Sequence, residues 1–366
     1  MPTPSHELNA VGACIFAGGF TIGTEKHFNV LAHLELGPYG VKTFQLNRPD
    51  VPVFIDKTGA WSDQVAKLRE TGVDYVYCNP PCAPFSVAGK SIKNGVDNWK
   101  SDPRTSCIRH CFDLLEKLQP TVLVIESVVA AYQRGAELFN ELRLRAHSLG
   151  YAVTHTLIDA RWHRVPQRRK RYFFIAHKVQ LSFVPLNYGP PTTVAEVLEL
   201  VQAPGYYHPH SASWNEPLAK CKPWTGLREA WELHNWGETR PRVAGEGPVK
   251  GRPRMMEHRL GLDREMGAFI GDFFYHPTED RRLGINEAKA LCGFPPDWKF
   301  FNERHGFSEL ARGVMPNVAD WLAESVKNSI LDARRNRRLL HADETVAANY
   351  VNLQKPPEET TTNATA

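Results

Sequence analysis

The chain has 366 residues, 42% of them hydrophobic, and a formal net charge of +4. That length suits one large and one small domain, with enough apolar content for a real core. No apolar run nears the roughly 20 residues that cross a bilayer. The start, Met1-Pro2-Thr3-Pro4-Ser5-His6-Glu7, has neither the basic residues nor the apolar stretch of a signal peptide, so neither membrane insertion nor export is expected.

The first half alternates strand-like and helix-like segments, the pattern of an α/β parallel sheet with crossover helices. Val11 to Phe16 reads as a strand running into a glycine turn, Gly18-Gly19. Phe28 to Leu34 reads as a second strand, Val51 to Ile55 as a third and Val73 to Cys78 as a fourth. Arg104 to Leu118 has helical spacing, with Ile108, Cys111, Phe112, Leu115 and Leu118 on one face. Thr121 to Ile125 is a fully apolar strand with Glu126 at its end, and Tyr151 to Ile158 and Arg171 to Ala176 complete the set. From about 186 to 277 the texture changes to scattered prolines, glycines and tryptophans, which indicates a loop-rich second domain. Order returns with a short helix from Asn286 to Leu291 and an amphipathic helix from Val318 to Leu331, whose apolar face holds Val318, Leu322, Val326 and Ile330. The tail is basic and then rich in Glu, Thr and Pro, and is expected to be disordered. The expected divisions are therefore 8–185, 186–277, 278–333 and 334–366.

Seven cysteines, an odd number without an export signal, indicate reduced thiols and a cytoplasmic location. Cys78/Cys82 and Cys107/Cys111 share a C-x3-C spacing that zinc could use. Cys78 lies in a strand, however, and Cys107 and Cys111 in an apolar helical pattern, so no metal is expected. The mild positive charge suits a polyanionic partner without demanding one.

In open parallel sheets ligands gather at the carboxyl ends of the strands. Four features fall there: Gly18-Gly19 after the first strand, Glu35 after the second, Cys82 after the fourth and Glu126 after the fifth. Cys82 alone would read as a buried apolar residue in a proline-rich turn. Beside a carboxylate and a glycine turn it becomes a candidate nucleophile, since a thiolate is the attacking form of cysteine. The glycines would let the backbone approach a nucleotide-like cofactor, and an acid after the second strand suits ribose hydroxyls. The run Gln167-Arg168-Arg169-Lys170-Arg171 leads into an apolar strand, which puts Arg169 and Arg171 on one side.

This ordered set resembles the DNA (cytosine-5) methyltransferase family. Phe16-Ala17-Gly18-Gly19-Phe20-Thr21-Ile22-Gly23 is similar to its first cofactor motif, and Pro80-Pro81-Cys82-Ala83-Pro84-Phe85-Ser86 to its nucleophile motif. Glu126-Ser127-Val128 is similar to its Glu-Asn-Val motif, and Gln167, Arg169 and Arg171 match Gln-x-Arg-x-Arg. Arg282-Leu283, Glu287 and Leu291 to Pro295 resemble the motif after the recognition region. The resemblance implies a Rossmann-like class I methyltransferase sheet with a smaller target recognition domain. It implies double-stranded DNA as the partner and S-adenosylmethionine as the donor, and a monomer is expected. Cys82 would attack C6 of a flipped cytosine, and Glu126 would support the adduct at N3 and the exocyclic amine. Arg169 would stabilise the adduct and lower the thiol pKa, while Arg171 would be a phosphate or scaffold contact. Gln167 is open between catalysis and orienting the loop. Phe16, Gly18, Gly19, Phe20, Glu35, Leu36, Asp56 and Pro80 would meet the donor, with Leu36 on the adenine face and Asp56 at the adenine amine. Pro80 and Ala83 to Ser91 would belong to a loop closing over the base.

Two departures touch the cofactor. The first motif is about two residues shorter than Phe-x-Gly-x-Gly-Gly, and Arg312-Gly313-Val314-Met315-Pro316 lacks the asparagine of Gly-Asn-x-Val-Pro. They open the alternative that another one-carbon unit is transferred, for example hydroxymethyl from methylenetetrahydrofolate. A tRNA cytosine methyltransferase and an inactive DNA-binding relative are further alternatives. Arg240, Arg242, Lys250, Arg252 and Arg254 are candidates for phosphate or base contacts, and Arg334-Arg335-Asn336-Arg337-Arg338 for non-specific affinity.

Overall fold

Strands that are apolar at every position belong inside a sheet covered on both faces. Val122-Leu123-Val124-Ile125 takes such a place. The computed structural model describes residues 7–86, 92–93, 96–97, 99–186, 189–207, 239–240, 257–271, 274–279, 281–336 and 349–352. Among these the main sheet has eight strands. They are β1 (Asn9–Ala13), β2 (Asn29–Glu35), β3 (Val53–Ile55), β4 (Tyr75–Cys78), β5 (Val122–Val128), β6 (Ala152–Asp159), β7 (Lys170–His177) and β8 (Asn349–Asn352). The spatial order is β8-β6-β7-β5-β4-β1-β2-β3.

The sheet is mostly parallel, as expected, but β7 runs antiparallel to both β5 and β6. The reason is chain length. Only residues 160 to 169 separate β6 from β7, and a parallel return needs a crossover of about a dozen residues or more. Alternation along the central strands feeds two cores. Tyr75, Tyr77, Val122, Val124, Phe173 and Ile175 face one, and Val76, Cys78, Leu123, Ile125, Tyr172 and Phe174 face the other.

The helices that cover these faces include α1 (Gly19–Thr24), α2 (Val41–Asn47), α3 (Ser62–Thr71), α4 (Ser106–Leu118), α5 (Val129–Arg134) and α6 (Ala136–Ser148). They continue with α7 (Val194–Leu198), α8 (Ile285–Leu291), α9 (Glu303–Arg312) and α10 (Pro316–Asn336). The predicted apolar faces of α4 and α10 are buried. The boundary expected at 334 falls inside α10, and β8, from the segment expected to be a tail, pairs parallel with β6. Arg334 of the basic stretch pairs with Asp74 at 2.5 Å, before β4 and hence at the sheet edge opposite its carboxyl end. Arg335 pairs with Asp332, while Arg337 and Arg338 lie outside the described residues.

In the region from 186 to 277 the described strands Thr239–Arg240, Glu257–Arg259 and Phe274–Tyr275 form a small separate sheet. Arg242, Lys250, Arg252 and Arg254 lie outside the described residues. Met266–Gly267 pairs parallel with Gln167–Arg168, joining this stretch to the start of β7. No helix among the described residues is long and apolar enough to cross a membrane.

Candidate active site

Polar side chains converge where β4 and β5 end and β7 begins. β4 and β5 run in parallel, with Cys78 beside Ile125. β7 returns with Phe173 opposite Glu126 and Arg171 opposite Val128. Arg171 is thus one diagonal step from Glu126 on the same face, within reach of a long side chain. Its Nε lies 2.9 Å from Glu126 Oε1. Asn79 Nδ2 donates to the other oxygen, Oε2, at 2.6 Å. Glu126 belongs to β5 rather than to the loop beyond it, so its backbone is fixed by strand pairing. Glu126 and Asn79 are each 2% exposed. Burial pushes the Glu126 carboxyl up, against the pull of Arg171, Arg169 and the Asn79 amide.

Cys82 lies three residues beyond Asn79. Its carbonyl accepts from the N–H groups of Phe85 at 3.1 Å and Ser86 at 3.2 Å, which closes a turn. Phe85 anchors that turn in the core, with ring centroids 5.6 Å from Trp99 and 6.2 Å from Phe139. Arg134 Nη1 donates to the Phe85 carbonyl at 2.6 Å. Burial pushes the Cys82 thiol up and the Glu126 charge adds to the effect, while Arg171 and Arg169 pull it down. Arg169 therefore pulls in the expected direction, and burial outweighs it. Residues 87–91 of the expected closing loop lie outside the described residues.

The two arginines sit differently from their expected roles. Arg171, expected to be scaffold, holds the carboxylate. Arg169, expected at the adduct, is 3% exposed and spends its donors on backbone carbonyls. These are Phe269 at 3.1 Å, Ala311 at 2.8 Å and Gly313 at 3.0 Å. Burial pushes Arg169 down to about 9. Gln167 is fully buried and also ties segments together. Its Nε2 donates to the Leu291 carbonyl at 2.7 Å, and its Oε1 accepts from the Phe269 N–H at 2.9 Å.

The expected donor site lies at the ends of β1, β2 and β3. Three residues in the turn after β1 adopt the left-handed region: Cys14 (φ 56°), Phe16 (φ 55°) and Gly18 (φ 93°). The glycines there make room first for the chain itself. A Cβ on Gly18 would lie 2.7 Å from the Phe44 ring, and one on Gly19 2.3 Å from the Val314 carbonyl oxygen. Phe20 is fully buried and packs on Tyr77 at 5.0 Å, so it belongs to the core rather than to the cleft, contrary to expectation. Glu35 Oε1 accepts from the Ile15 N–H at 2.7 Å, and burial pushes its carboxyl up to about 8. Asp56 follows β3, and its N–H bonds to the Glu35 carbonyl at 2.9 Å. Its carboxylate accepts from the N–H groups of Thr58 and Trp61, each at 2.9 Å, which holds it down at about 2. Phe16 and Leu36 are half-buried and Pro80 is buried. Two acids at successive strand ends, with Phe16 and Leu36 beside them, fit an adenosyl group by donor chemistry and by apolar surface.

Asn79 was not among the expected residues. Its signal was present in the sequence, as an amide immediately before Pro80-Pro81-Cys82 at the exit of an apolar strand. Among the described residues no cluster of three metal-ligating side chains occurs, and Cys14 and Cys111 are free thiols with sulfurs 3.9 Å apart.

Comparison with known proteins adds independent findings. The profile of the C-5 cytosine-specific DNA methylase family matches residues 14–328. The type II methyltransferase M1.HphI of Haemophilus parahaemolyticus is 25% identical over 323 residues, covering 85% of this chain and 84% of that protein. The type II methyltransferase M.NgoMIV of Neisseria gonorrhoeae is 25% identical over 334 residues, covering 87% and 97%. Among solved structures, an E. coli prophage protein named for DNA modification methyltransferase activity superposes with a TM-score of 0.64 at 21% identity, over 89% of this chain and 100% of that one. The Entamoeba histolytica methyltransferase EhMeth gives 0.58 at 14%, over 89% and 99%. At these identities the structural likenesses speak for the fold.

Proposed function

The chain belongs to the C-5 cytosine-specific DNA methylase family, and from that premise we propose how its residues divide the work on cytosine in DNA. The observation that carries the reading is Glu126, held between Arg171 and Asn79, with its charge felt by the Cys82 thiol. A cytosine inside a duplex is closed off above and below its ring, so the target is flipped out at a cost of a few kcal/mol. The Cys82 thiolate adds to C6, forming an S–C bond, and the ring electrons shift toward N3 while C5 becomes enamine-like. Glu126 supports the N3 and amine edge. Its raised pKa is the direction a proton donor needs near neutral pH. After C5 is methylated, water takes the C5 proton, the C–H electrons reform the C5–C6 double bond, and the C6–S bond breaks to release Cys82 as thiolate.

Arg171 takes the electrostatic role at the carboxylate, and Arg169 and Gln167 are positioning residues for the segments around it. S-Adenosylmethionine supplies the methyl group when bound, with Glu35, Asp56, Phe16 and Leu36 as its contacts. Double-stranded DNA is the substrate, and the type II relatives favour a role in DNA modification.

Incubating the full chain with duplex DNA and S-adenosylmethionine as sole donor should yield 5-methylcytosine on nucleoside mass spectrometry. Methylenetetrahydrofolate alone should yield no product. Product with the folate and none with S-adenosylmethionine would overturn the donor assignment.

A further inference from the structure

A long side chain at a helix end ordinarily keeps its rotamer freedom in solvent. Arg312, at the end of α9, is exposed and yet fixed from two directions. Its backbone lies between Ala311 and Gly313, whose carbonyls both accept from buried Arg169. Two residues on, the Val314 carbonyl presses against Gly19 of the turn after β1. The guanidinium stacks over Tyr39, 5.0 Å from the ring centroid. Nη1 donates to the Tyr39 hydroxyl and to Ser308 Oγ at 2.9 Å. Tyr39 meets Phe16 edge-on at 5.6 Å. The shortened glycine turn and the last motif segment, the two places where the cofactor motifs depart from the family pattern, therefore meet, through Gly19 and Val314 and through Phe16, Tyr39 and Arg312.

Buried Glu309, three residues back on α9, is the acid that feels the Arg312 charge, and burial pushes its carboxyl up. The hydrogen bonds of Arg312 all go to neutral oxygens of Tyr39 and Ser308. Glu35 holds its proton up to about pH 8, and the Asp56 carboxylate is already engaged by Thr58 and Trp61. A planar guanidinium held in place, with donors left over, matches a carboxylate.

We propose that Arg312, steadied by Tyr39 and Ser308, binds a carboxylate carried by the one-carbon donor. The proposal rests on the reading of the Phe16–Glu35 cleft as the donor site. Two donors carry such a group: S-adenosylmethionine on its amino-acid end, and methylenetetrahydrofolate on its glutamyl end.

Calorimetric titration of the full chain distinguishes them. The ligands are S-adenosylmethionine, its decarboxylated analogue and methylenetetrahydrofolate, each with wild type, R312Q and R312K. Wild type should bind S-adenosylmethionine at least about tenfold more tightly than the decarboxylated analogue. R312Q should remove that preference by weakening S-adenosylmethionine alone, and R312K should keep part of it. Equal wild-type affinity for the two, or a preference that survives R312Q, would overturn the carboxylate contact. If wild type binds only the folate, and R312Q loses that binding, the contact stands and the donor assignment falls. Binding of neither donor by wild type overturns both.

Discussion

The Glu126 carboxylate is held from both oxygens, by a cation on one side and an amide on the other. Both partners favour its ionised form, while burial favours the neutral one, and burial prevails. Asn79→Ala removes one donor from the ionised form, so the carboxyl pKa rises further. Arg171, Arg169 and Cys82, the other charged or titratable groups acting on this site, stay in place. With Glu126 supplying a proton in the reaction, the alkaline limb of the pH–rate profile should move to higher pH. The rate at saturating DNA should fall about tenfold, less than the roughly 10²–10⁴-fold that loss of an acid–base group costs, because Glu126 itself remains. An unmoved profile would show that Asn79 only fills space. Cys82, Glu126, Gln167, Arg169 and Arg171 were singled out in the sequence by their resemblance to the family's motifs, and the fold brings Glu126 and Arg171 into contact. Which arginine holds the carboxylate was not legible, since Arg169 and Arg171 share a face and only the pairing of Phe173 with Glu126 separates them.

Three elements build the site, and each shows a different limit of sequence reading. β5 was readable as an apolar run, but its continuation through Glu126 was not, because a buried acid breaks the pattern that marks a strand. The direction of β7 follows from the ten residues before it, a count available in the sequence once the neighbouring strands are known. The nucleophile turn depends on Phe85, whose burial against Trp99 and Phe139 is set by residues distant in sequence. Phe85→Ala should cost about 3–5 kcal/mol in urea unfolding, the usual range for emptying a core phenylalanine site. It should also slow reaction at Cys82, because the turn that carries the thiol loses its anchor. Loss of stability with unchanged reactivity of folded protein would separate the anchor from the nucleophile.

At the scale of the molecule, a mostly parallel sheet gathers the ends of β1 to β5 along one edge, and the antiparallel β7 brings two arginines to that edge from the opposite direction. The alternating pattern made the sheet legible. Residues of the last third were harder to place, because Leu291, Ala311 and Gly313 join the site only as backbone carbonyls, which no side-chain pattern records. The central claim is a covalent bond from Cys82 to the base, and trapping on duplex DNA containing 5-fluorocytosine, with S-adenosylmethionine present, measures it most directly. The fluorine cannot leave C5 as a proton does, so wild type should accumulate a denaturant-resistant protein–DNA adduct with Cys82 as the modified residue. Cys82→Ser should form none. An adduct of equal yield in Cys82→Ser, or one mapped to another residue, would contradict the account.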